Sequence, residues 1–432
     1  MEGTNPPPAG RKGLRAGFRR AFGRVPVLGW LTGWLAAVLL ERWMGDPLAD
    51  LLGLPKIPVL FGFNIALKKP FLIPGALAFV TLVYLVPILA VARAGQGVTN
   101  RAAGWLHRMP SWIGVGTHLA LLYAVLHLWS DVSAYRALTL KLTLIAVMLT
   151  LSLNVINGYM GEFSCSHPGF MALGAYAASV FTVGLFVQDK LFGPALLPPE
   201  LGPYLFPVGL LFAGAVAALG ALAVAVPSFR TRGDYLAIIS LAFMFIVKSA
   251  IENLEVVGGP RGMSKQPNWA TLPMVFLWTA ACLWTINNFV RSTLGKALNA
   301  VRDEETAADA MTVNTRKTKM TAFLFSAFWA GVAGGLFAHV LRYVNPGTFG
   351  IQKLAEVLAM VYFGGLNSVY GSIVGAVSIS MLGEALRPLE IYKWIIIPLL
   401  LILVMIFRPT GLVAFRECDV RRVLAPRGGN EV

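Results

Sequence analysis

The stretch YLFPVGLLFAGAVAALGALAVAV, Tyr204–Val226, decides the fold because it contains no Asp, Glu, Lys or Arg. The hydrocarbon core of a bilayer is about 30 Å thick, and a helix of roughly 20 apolar residues crosses it. In water the same helix would need a large protein around it to cover its apolar surface. The stretch therefore predicts a membrane-spanning helix.

Nine further segments have the same apolar character, although some are shorter. They are Val25–Leu40, Phe71–Val91, Trp112–Trp129, Leu138–Ile156, Pro168–Val187, Tyr235–Ile251, Pro273–Val290, Thr321–Leu341 and Ile391–Phe407. The apolar region Leu354–Leu386 is interrupted by Gly364, Gly365, Gly371 and Gly375. It predicts a glycine-broken hairpin that either crosses twice or re-enters without crossing. We predict an all-α polytopic membrane protein with about 10–12 crossings.

The composition supports this fold class. Of the 432 residues, 56% are hydrophobic and 13% are charged, against about 45–50% and about 25% in an average globular domain. These values exclude a disordered chain, an ordinary nucleic-acid-binding domain and almost any soluble enzyme. In a soluble protein the net charge of +15 would suggest an acidic partner such as nucleic acid. In a membrane protein it indicates basic loops on the cytoplasmic side.

The positions of the basic residues predict the orientation of the chain. The first span is preceded by Arg11, Lys12, Arg15, Arg19, Arg20 and Arg24, so the positive-inside rule places the N-terminus in the cytoplasm. Alternating spans then place Arg93–Arg108, the pair Arg230 and Arg232, and the loop Arg291–Lys319 on that side. The arginine-rich tail places the C-terminus there too, which requires the region Leu354–Leu386 to cross zero or two times.

The longest predicted cytoplasmic loop is Arg291–Lys319, RSTLGKALNAVRDEETAADAMTVNTRKTK. Its centre predicts a short amphipathic helix with Ala307 as a small neighbour of a sparse apolar stripe, formed by Leu298, Val301, Ala308 and Met311. Such a helix either docks in a groove of a soluble partner or is a solvated connector. The residues alone leave both readings open.

Within this loop, Ala300–Asn314 resembles the EAA-type coupling loop of ABC importer permeases, in the form found in the LivM-type branched-chain amino acid permeases. The pattern reads RDEETAAD at Arg302–Asp309, and Thr312 stands where the family has a glycine that allows a tight turn after the helix. The resemblance implies that an ATPase subunit docks on the coupling-loop residues, which are Arg302, Asp303, Glu304, Glu305, Ala307, Ala308 and Met311.

Four more segments in the family's order are similar to its signatures. They are SCSHPGFMALGAY (Ser164–Tyr176), RGDYLAIISLAF (Arg232–Phe243), GGPRGM (Gly258–Met263) and GGLNSVYGSIVGA (Gly364–Ala376). The resemblance covers roughly the last two-thirds of the chain. It predicts a LivM-like permease core over residues 137–408, with the coupling loop at 291–319. Around it we expect a basic cytoplasmic leader (1–24), an extension with about three transmembrane helices (25–136) and a basic cytoplasmic tail (409–432).

The resemblance implies a permease subunit that moves branched-chain or other hydrophobic amino acids across the inner membrane. The partners it implies are ABC ATPase subunits, a second permease of LivH type and a periplasmic substrate-binding protein, all at the lipid bilayer. The chain has no Walker A motif, since Gly295-Lys296 is followed by Ala297. We therefore expect no cofactor on this chain and ATP on the partner subunit. No catalytic or metal motif is present in the sequence, so we predict that the chain is not an enzyme.

Two glycine-broken segments are candidates for the substrate path, because interrupted helices are tolerated at membrane depth where they line protein or water. Free helix N-termini there suit a carboxylate. The candidate residues are Gly161, Ser164, Ser166, His167, Gly169, Gly174, Tyr176, Gly364, Gly365, Asn367 and Ser368. The alternatives are close helix packing for the glycines and a structural role for His167.

The residues at the family's charged positions within the spans bear on the cargo and on the class of transporter. Met244 and Phe245 occupy the positions of a family Gly-Glu pair, and Lys248 takes the basic position, which suggests a less cationic cargo or one that is not a simple branched-chain amino acid. A urea or amide ABC permease of the same architecture therefore stays an alternative. An ATPase-independent secondary transporter would need a charged relay inside the spans. Lys248 and Glu252, four residues apart, instead predict a self-neutralising pair.

Overall fold

The structure, a computed structural model, describes residues 22–54, 57, 70–188, 193–229, 235–408, 410–414, 419 and 424–427. Most of the predicted leader and of the predicted tail lie outside these residues, as do Arg230, Arg232 and the start of the RGDYLAI segment. The chain divides into two compact units, Met1–Arg136 with Asp419–Val432, and Ala137–Cys418.

The first unit contains four described helices. They are α1 (Val27–Leu51), α2 (Ile73–Ala94), α3 (Gln96–Arg108) and α4 (Ser111–Asp131). The helix α1 packs against α2 and α4. Turns of π-helix at Thr81–Leu85 widen the middle of α2, where Tyr84 points into the unit and is buried.

A buried ion pair explains why α1 extends beyond its predicted end. The predicted span ends at Leu40, just before Glu41, yet the helix continues to Leu51. Both oxygens of Glu41 accept from Arg136, with Nη2–Oε1 at 2.8 Å and Nη1–Oε2 at 3.1 Å. The Tyr84 hydroxyl donates to the same carboxylate at 2.6 Å. The buried charge is therefore paired and hydrogen-bonded, which a dry environment requires.

The second unit contains the other helices. They are α5 (Ala134–Met160, whose first three residues belong to the first unit), α6 (His167–Phe186), α7 (Gly202–Ser228), α8 (Tyr235–Asn253), α9 (Leu272–Arg291), α10 (Thr293–Asp303), α11 (Glu305–Ala310), α12 (Thr315–Leu341), α13 (Ile351–Gly364), α14 (Val369–Ala385) and α15 (Lys393–Phe407). Strands β1 (Met263–Ser264) and β2 (Tyr343–Val344) pair antiparallel, with Met263 opposite Val344.

The centre of the second unit is a three-helix contact among α6, α7 and α12. Small residues let these helices approach closely, as is common in membrane bundles. A Cβ atom on Gly174 of α6 would overlap the carbonyl of Gly331 on α12. The glycine at 174 therefore serves close packing, which was the alternative to a path-lining role.

The helix pattern confirms the predicted all-α polytopic membrane protein. Among the described residues, eight helices are long and apolar enough to cross a bilayer, and they occupy eight of the ten predicted spans. The other two positions hold α1, which carries Glu41, and the shorter α15. The glycine-broken region forms α13 and α14, of 14 and 17 residues. At 1.5 Å per residue they are about 21 and 26 Å long.

Candidate functional site

The coupling loop contains two helices where one was predicted. The chain is extended at Glu304, with φ −159° and ψ 106°, so α10 ends at Asp303 and α11 begins at Glu305. The Glu304 side chain accepts from the Thr306 backbone N–H at 3.4 Å and caps α11. Three consecutive acidic residues favour this break, because they gather at the positive N-terminal end of the second helix.

The break divides the predicted apolar stripe. Leu298 and Val301 on α10 are buried, as is Ala308 on α11. Ala307 is exposed, and Met311, which follows α11, is 77% exposed. The small and apolar surface that α11 and the next residue offer to a partner is therefore Ala307, Ala310 and Met311, whereas Ala308 is buried.

Thr312 makes the turn that glycine would make in the family pattern. Its φ is +67°, in the left-handed region where a β-branched residue is an outlier. The Thr312 backbone N–H donates to the Asp309 carbonyl at 3.0 Å, and the Val313 N–H donates to the Ala308 carbonyl at 3.1 Å. The tight turn forms without the glycine, and the threonine backbone is strained there.

The end of α5 lies directly against the coupling loop. The helix finishes in π-helical turns, Val155–Met160, and Gly161 then reverses the chain with φ +76°. A Cβ atom on Gly161 would overlap the side chain of Arg302. The Arg302 guanidinium donates to the Gly158 carbonyl at 3.4 Å and to Asp303 at 2.7 Å. Gly161 is therefore a contact of the coupling loop.

A single lysine joins three segments at this place. The ammonium of Lys319, in the second turn of α12, lies 2.8 Å from Glu162 Oε1 and 2.9 Å from Glu305 Oε2. The Lys319 side chain is 11% exposed, whereas that of Glu305 is 50% exposed. Sequence reasoning missed Lys319 and Glu162, because pairs so far apart along the chain leave no local pattern.

Ser164 and Ser166 are buried in the segment that leads to α6. Their hydroxyl oxygens lie 2.9 Å apart. The Ser164 N–H donates to Asn157 Oδ1 at 3.2 Å, and the Cys165 N–H donates to the Ser240 hydroxyl of α8 at 2.9 Å. Side chains of α5 and α8 therefore accept hydrogen bonds from the backbone N–H groups of this non-helical segment, as its burial requires.

His167 begins α6 and is buried. Its Nε2 is hydrogen-bonded to the Ser326 hydroxyl of α12 at 3.2 Å, and that hydroxyl donates to the Ser152 carbonyl of α5 at 2.5 Å. Its Nδ1 has no hydrogen-bond partner among the described residues. The imidazole thus links three helices, and its other ring nitrogen is buried among the described residues.

Asn154 connects the first glycine-broken segment to the second. Its Nδ2 donates to the Ser368 carbonyl at 3.0 Å and to the Ser372 hydroxyl at 2.7 Å. Its Oδ1 accepts from the Asn367 N–H at 3.2 Å. This residue was also missed, although an asparagine inside an otherwise apolar span was a visible signal.

The predicted path residues therefore fall into two groups. One group lies at the end of α5 and comprises Gly161, Ser164, Ser166, His167, Asn367 and Ser368. Gly364 and Gly365, which precede Asn367 in the chain, pack instead against Gly371 of α14 and the Val413 backbone. The second group is spread along α6. Gly169 packs against Phe243 of α8, Gly174 packs against α12, and the hydroxyl of Tyr176 lies 3.4 Å from the Val344 carbonyl.

The two residues of α8 that replace the family Gly-Glu pair lie in different environments. Met244 is buried and clusters with Cys165 and Leu354, whereas the ring of Phe245 is 46% exposed. The residue in place of the family carboxylate thus faces outward from the unit. Lys248 and Glu252 form the predicted pair, at 3.8 Å, and both are partly exposed.

Known proteins resemble the part of the chain that forms the second unit. Residues 135–406 match the family described as branched-chain amino acid transport system, permease component. The LivM permease protein of the high-affinity branched-chain amino acid transport system of Escherichia coli (strain K12) is 33% identical over 306 residues, 63% of this chain and 68% of the relative. The LivM protein of Salmonella typhimurium is 32% identical over the same shares.

A second group of relatives matches a shorter segment. The LivH permease protein of Escherichia coli (strain K12) is 26% identical over 150 residues, 34% of this chain and 48% of the relative. No solved structure matches the chain. The family match covers more than half of the chain, and it begins where the second unit begins. The chain is a member of the family of branched-chain amino acid transport permease components, the membrane-embedded subunits of ABC importers.

Proposed function

We propose that this chain carries branched-chain or other hydrophobic amino acids across the inner membrane, as one of two permease subunits of an importer. The names of the LivM and LivH relatives support the cargo class. The observation that carries the proposal is the exposed face of α11, where Ala307 and Met311 point outward beside the buried Ala308. A short helix with a small exposed residue suits docking into a partner's groove.

In this proposal a separate ATPase subunit binds and hydrolyses ATP. The sequence contains no P-loop, so the chain needs a partner to use ATP. The coupling loop is the contact for that partner, and both chain termini lie with it in the cytoplasm. The basic residues of the loop and of the leader support this orientation through the positive-inside rule.

The second permease is of LivH type, and a periplasmic binding protein delivers the cargo at the outer loops. Support for the second permease comes from the likeness of this chain to LivH proteins. Two related subunits around one path are consistent with α8, whose outward residues Ile238, Phe245 and Ile246 are exposed large hydrophobics. Such a face suits lipid or a neighbouring membrane subunit.

The polar end of α5 is proposed as part of the substrate path. Backbone N–H groups at the N-termini of α6 and α14 lie in this region and suit an amino acid carboxylate. His167 Nδ1 is buried and has no hydrogen-bond partner among the described residues, so opening of this end would bring it into contact with water or cargo. ATP-driven closure of the ATPase dimer would move α11 and alternately open this end and the outer end, as in alternating access.

Reconstitution tests the proposal. The chain is purified from its host together with its co-purifying subunits, incorporated into proteoliposomes and supplied with the binding protein. We expect uptake of labelled leucine only with ATP on the ATPase side. Uptake without ATP hydrolysis would overturn the importer mechanism in favour of a secondary transporter. Uptake of labelled urea in preference to leucine would overturn the cargo assignment.

A further inference from the structure

The strongest unassigned feature is the position of Lys319 between two carboxylates. Glu162 belongs to the segment that joins α5 to α6, Glu305 is the first residue of α11, and Lys319 lies in the second turn of α12. Both N–O distances are below 3 Å. Two consecutive helices and a segment 157 positions away from Lys319 thus meet at one ammonium group.

The three side chains of this cluster differ in their exposure to solvent. Lys319 is 11% exposed and Glu162 27%, while Glu305 is 50% exposed. A partner that docks on α11 reaches the Glu305 side of the cluster first. The Lys319–Glu162 contact is better shielded from water, so it is screened less by salt than a surface pair.

Lys319 and Glu162 each belong to an element that packs against other parts of the unit. α12 packs on α6 and α7 along the centre of the unit. Glu162 follows the Gly161 turn, which contacts Arg302 of α10, and it precedes Ser164 and His167. A shift of α11 therefore changes the ammonium position at the start of α12 and the carboxylate position at the start of the path segment.

We propose that Lys319 transmits the displacement of α11 to the path segment Gly161–His167 and to α12, through its paired contacts with Glu305 and Glu162. Lys319 is a positioning residue, since it touches neither ATP nor cargo. The inference rests on the proposed function, because it assigns a transmission role within an ATP-driven permease. It predicts that loss of the ammonium uncouples ATP hydrolysis from transport while leaving the complex assembled.

The test compares Lys319→Met with Lys319→Arg in the reconstituted complex. We expect Lys319→Met to lower the leucine transported per ATP hydrolysed about five- to tenfold, the size of a coupling energy of a residue between two sites. Co-purification of the ATPase subunit is expected to stay unchanged. Lys319→Arg keeps the charge and is expected to restore at least half of the wild-type ratio.

The matched control is Lys248→Met, which removes another lysine–glutamate pair on a helix outside the coupling loop. It is expected to leave the transport ratio unchanged. A Glu162→Gln, Glu305→Gln double variant is expected to have the Lys319→Met defect, and adding Lys319→Met to it is expected to cause little further loss. A wild-type ratio in Lys319→Met, or full additivity of the three substitutions, would overturn the transmission role.

Hydrogen exchange on the full chain in nanodiscs separates this inference from the proposed function. We expect Lys319→Met to increase exchange both in residues 304–311 and in residues 158–166, while Lys248→Met changes neither. If this coupled increase occurs and the wild-type complex fails to transport leucine, the proposed function is wrong and the linkage through Lys319 stands. If wild-type transports leucine and the two segments respond independently, only the inference fails.

Discussion

The Asn154 side-chain amide donates a hydrogen bond to the Ser368 backbone carbonyl at 3.0 Å. This bond joins the two glycine-broken segments. The same amide also contacts Asn367 and Ser372. The contacts with Ser368 and Ser372 are buried and the contact with Asn367 is partly buried. In such an environment an unmade hydrogen bond costs more than a made one contributes. The relationship explains why two segments far apart in sequence lie at the same end of α5.

We expect Asn154→Leu to destabilise the second unit, because it leaves the Asn367 N–H without its side-chain acceptor and removes the amide donor from the Ser368 carbonyl and the Ser372 hydroxyl. The expected loss is on the order of 2 kcal/mol or more, measured as a lower apparent Tm of the purified chain in detergent. Asn253→Leu is the control, since Asn253 is exposed and bonds only to its own helix. Equal Tm values for the two variants would contradict the joining role of Asn154.

Arg136→Leu is expected to destabilise the first unit strongly, because Glu41 would be left as an unpaired buried charge. Removing one partner of a buried pair costs about 3–5 kcal/mol, whereas replacing both by apolar residues is often neutral. The double variant Glu41→Leu, Arg136→Leu should therefore recover most of the lost Tm. Arg42→Leu removes a half-exposed pair with Asp131 and should change Tm little. A double variant as unstable as Arg136→Leu would count against the pairing argument.

Thr312→Gly is expected to stabilise the coupling loop, because glycine relieves the cost of a left-handed backbone at φ +67°. The expected gain is about 1 kcal/mol, observed as slower hydrogen exchange in residues 305–314. Thr306→Gly within α11 is the comparison and should speed exchange, since glycine weakens helices. Faster exchange in Thr312→Gly would contradict the strain assigned to this turn.

Ala307→Arg and Ala308→Arg should act by different routes. Ala307 is exposed, so its substitution is expected to reduce ATPase-subunit pull-down while the chain keeps its wild-type Tm. Ala308 is 5% exposed, so an arginine there disrupts the packing of α11 and lowers Tm as well. Leu196→Arg, at an exposed position outside the coupling loop, controls for added charge. Full pull-down with Ala307→Arg would remove the docking role of this face.

Cysteine labelling tests the orientation. Cys165 and Cys282 are buried. A Cys418→Ser variant therefore gives little background labelling by a membrane-impermeant maleimide. We expect Ala307→Cys to be labelled in inverted vesicles and protected in intact spheroplasts. Leu196→Cys should have the opposite pattern, because one loop is predicted inside and the other outside. Labelling of both positions from the same side would contradict the predicted topology.

The sequence was sufficient for the spans that depend on local apolar length, such as Tyr204–Val226, which lies within α7. It was insufficient at Glu41, because a single charge ends a predicted span unless its partner is known, and Arg136 is 95 positions away. The helix break at Glu304 was missed for a different reason. A stripe with helical spacing continues through a cap in sequence even though the backbone does not.

The candidate site was predictable in its parts but not in its arrangement. The coupling-loop residues follow a motif, and their exposure then depends on which side of α11 packs, which Ala307 and Ala308 illustrate. Gly161 was assigned to a cargo path from its neighbours in sequence, whereas its positive φ and its contact with Arg302 appear only in three dimensions. Lys319 and Asn154 depend on tertiary contacts and could not be assigned a role before the fold.

The Glu41–Arg136 pair also has a consequence for biosynthesis. Ribosomes add about 5–20 residues per second, so the 95 positions between the partners correspond to about 5–20 s of translation. During that interval α1 carries a carboxylate whose counter-charge has not been made. The ion pair that neutralises Glu41 therefore forms only after the start of α5 has been translated.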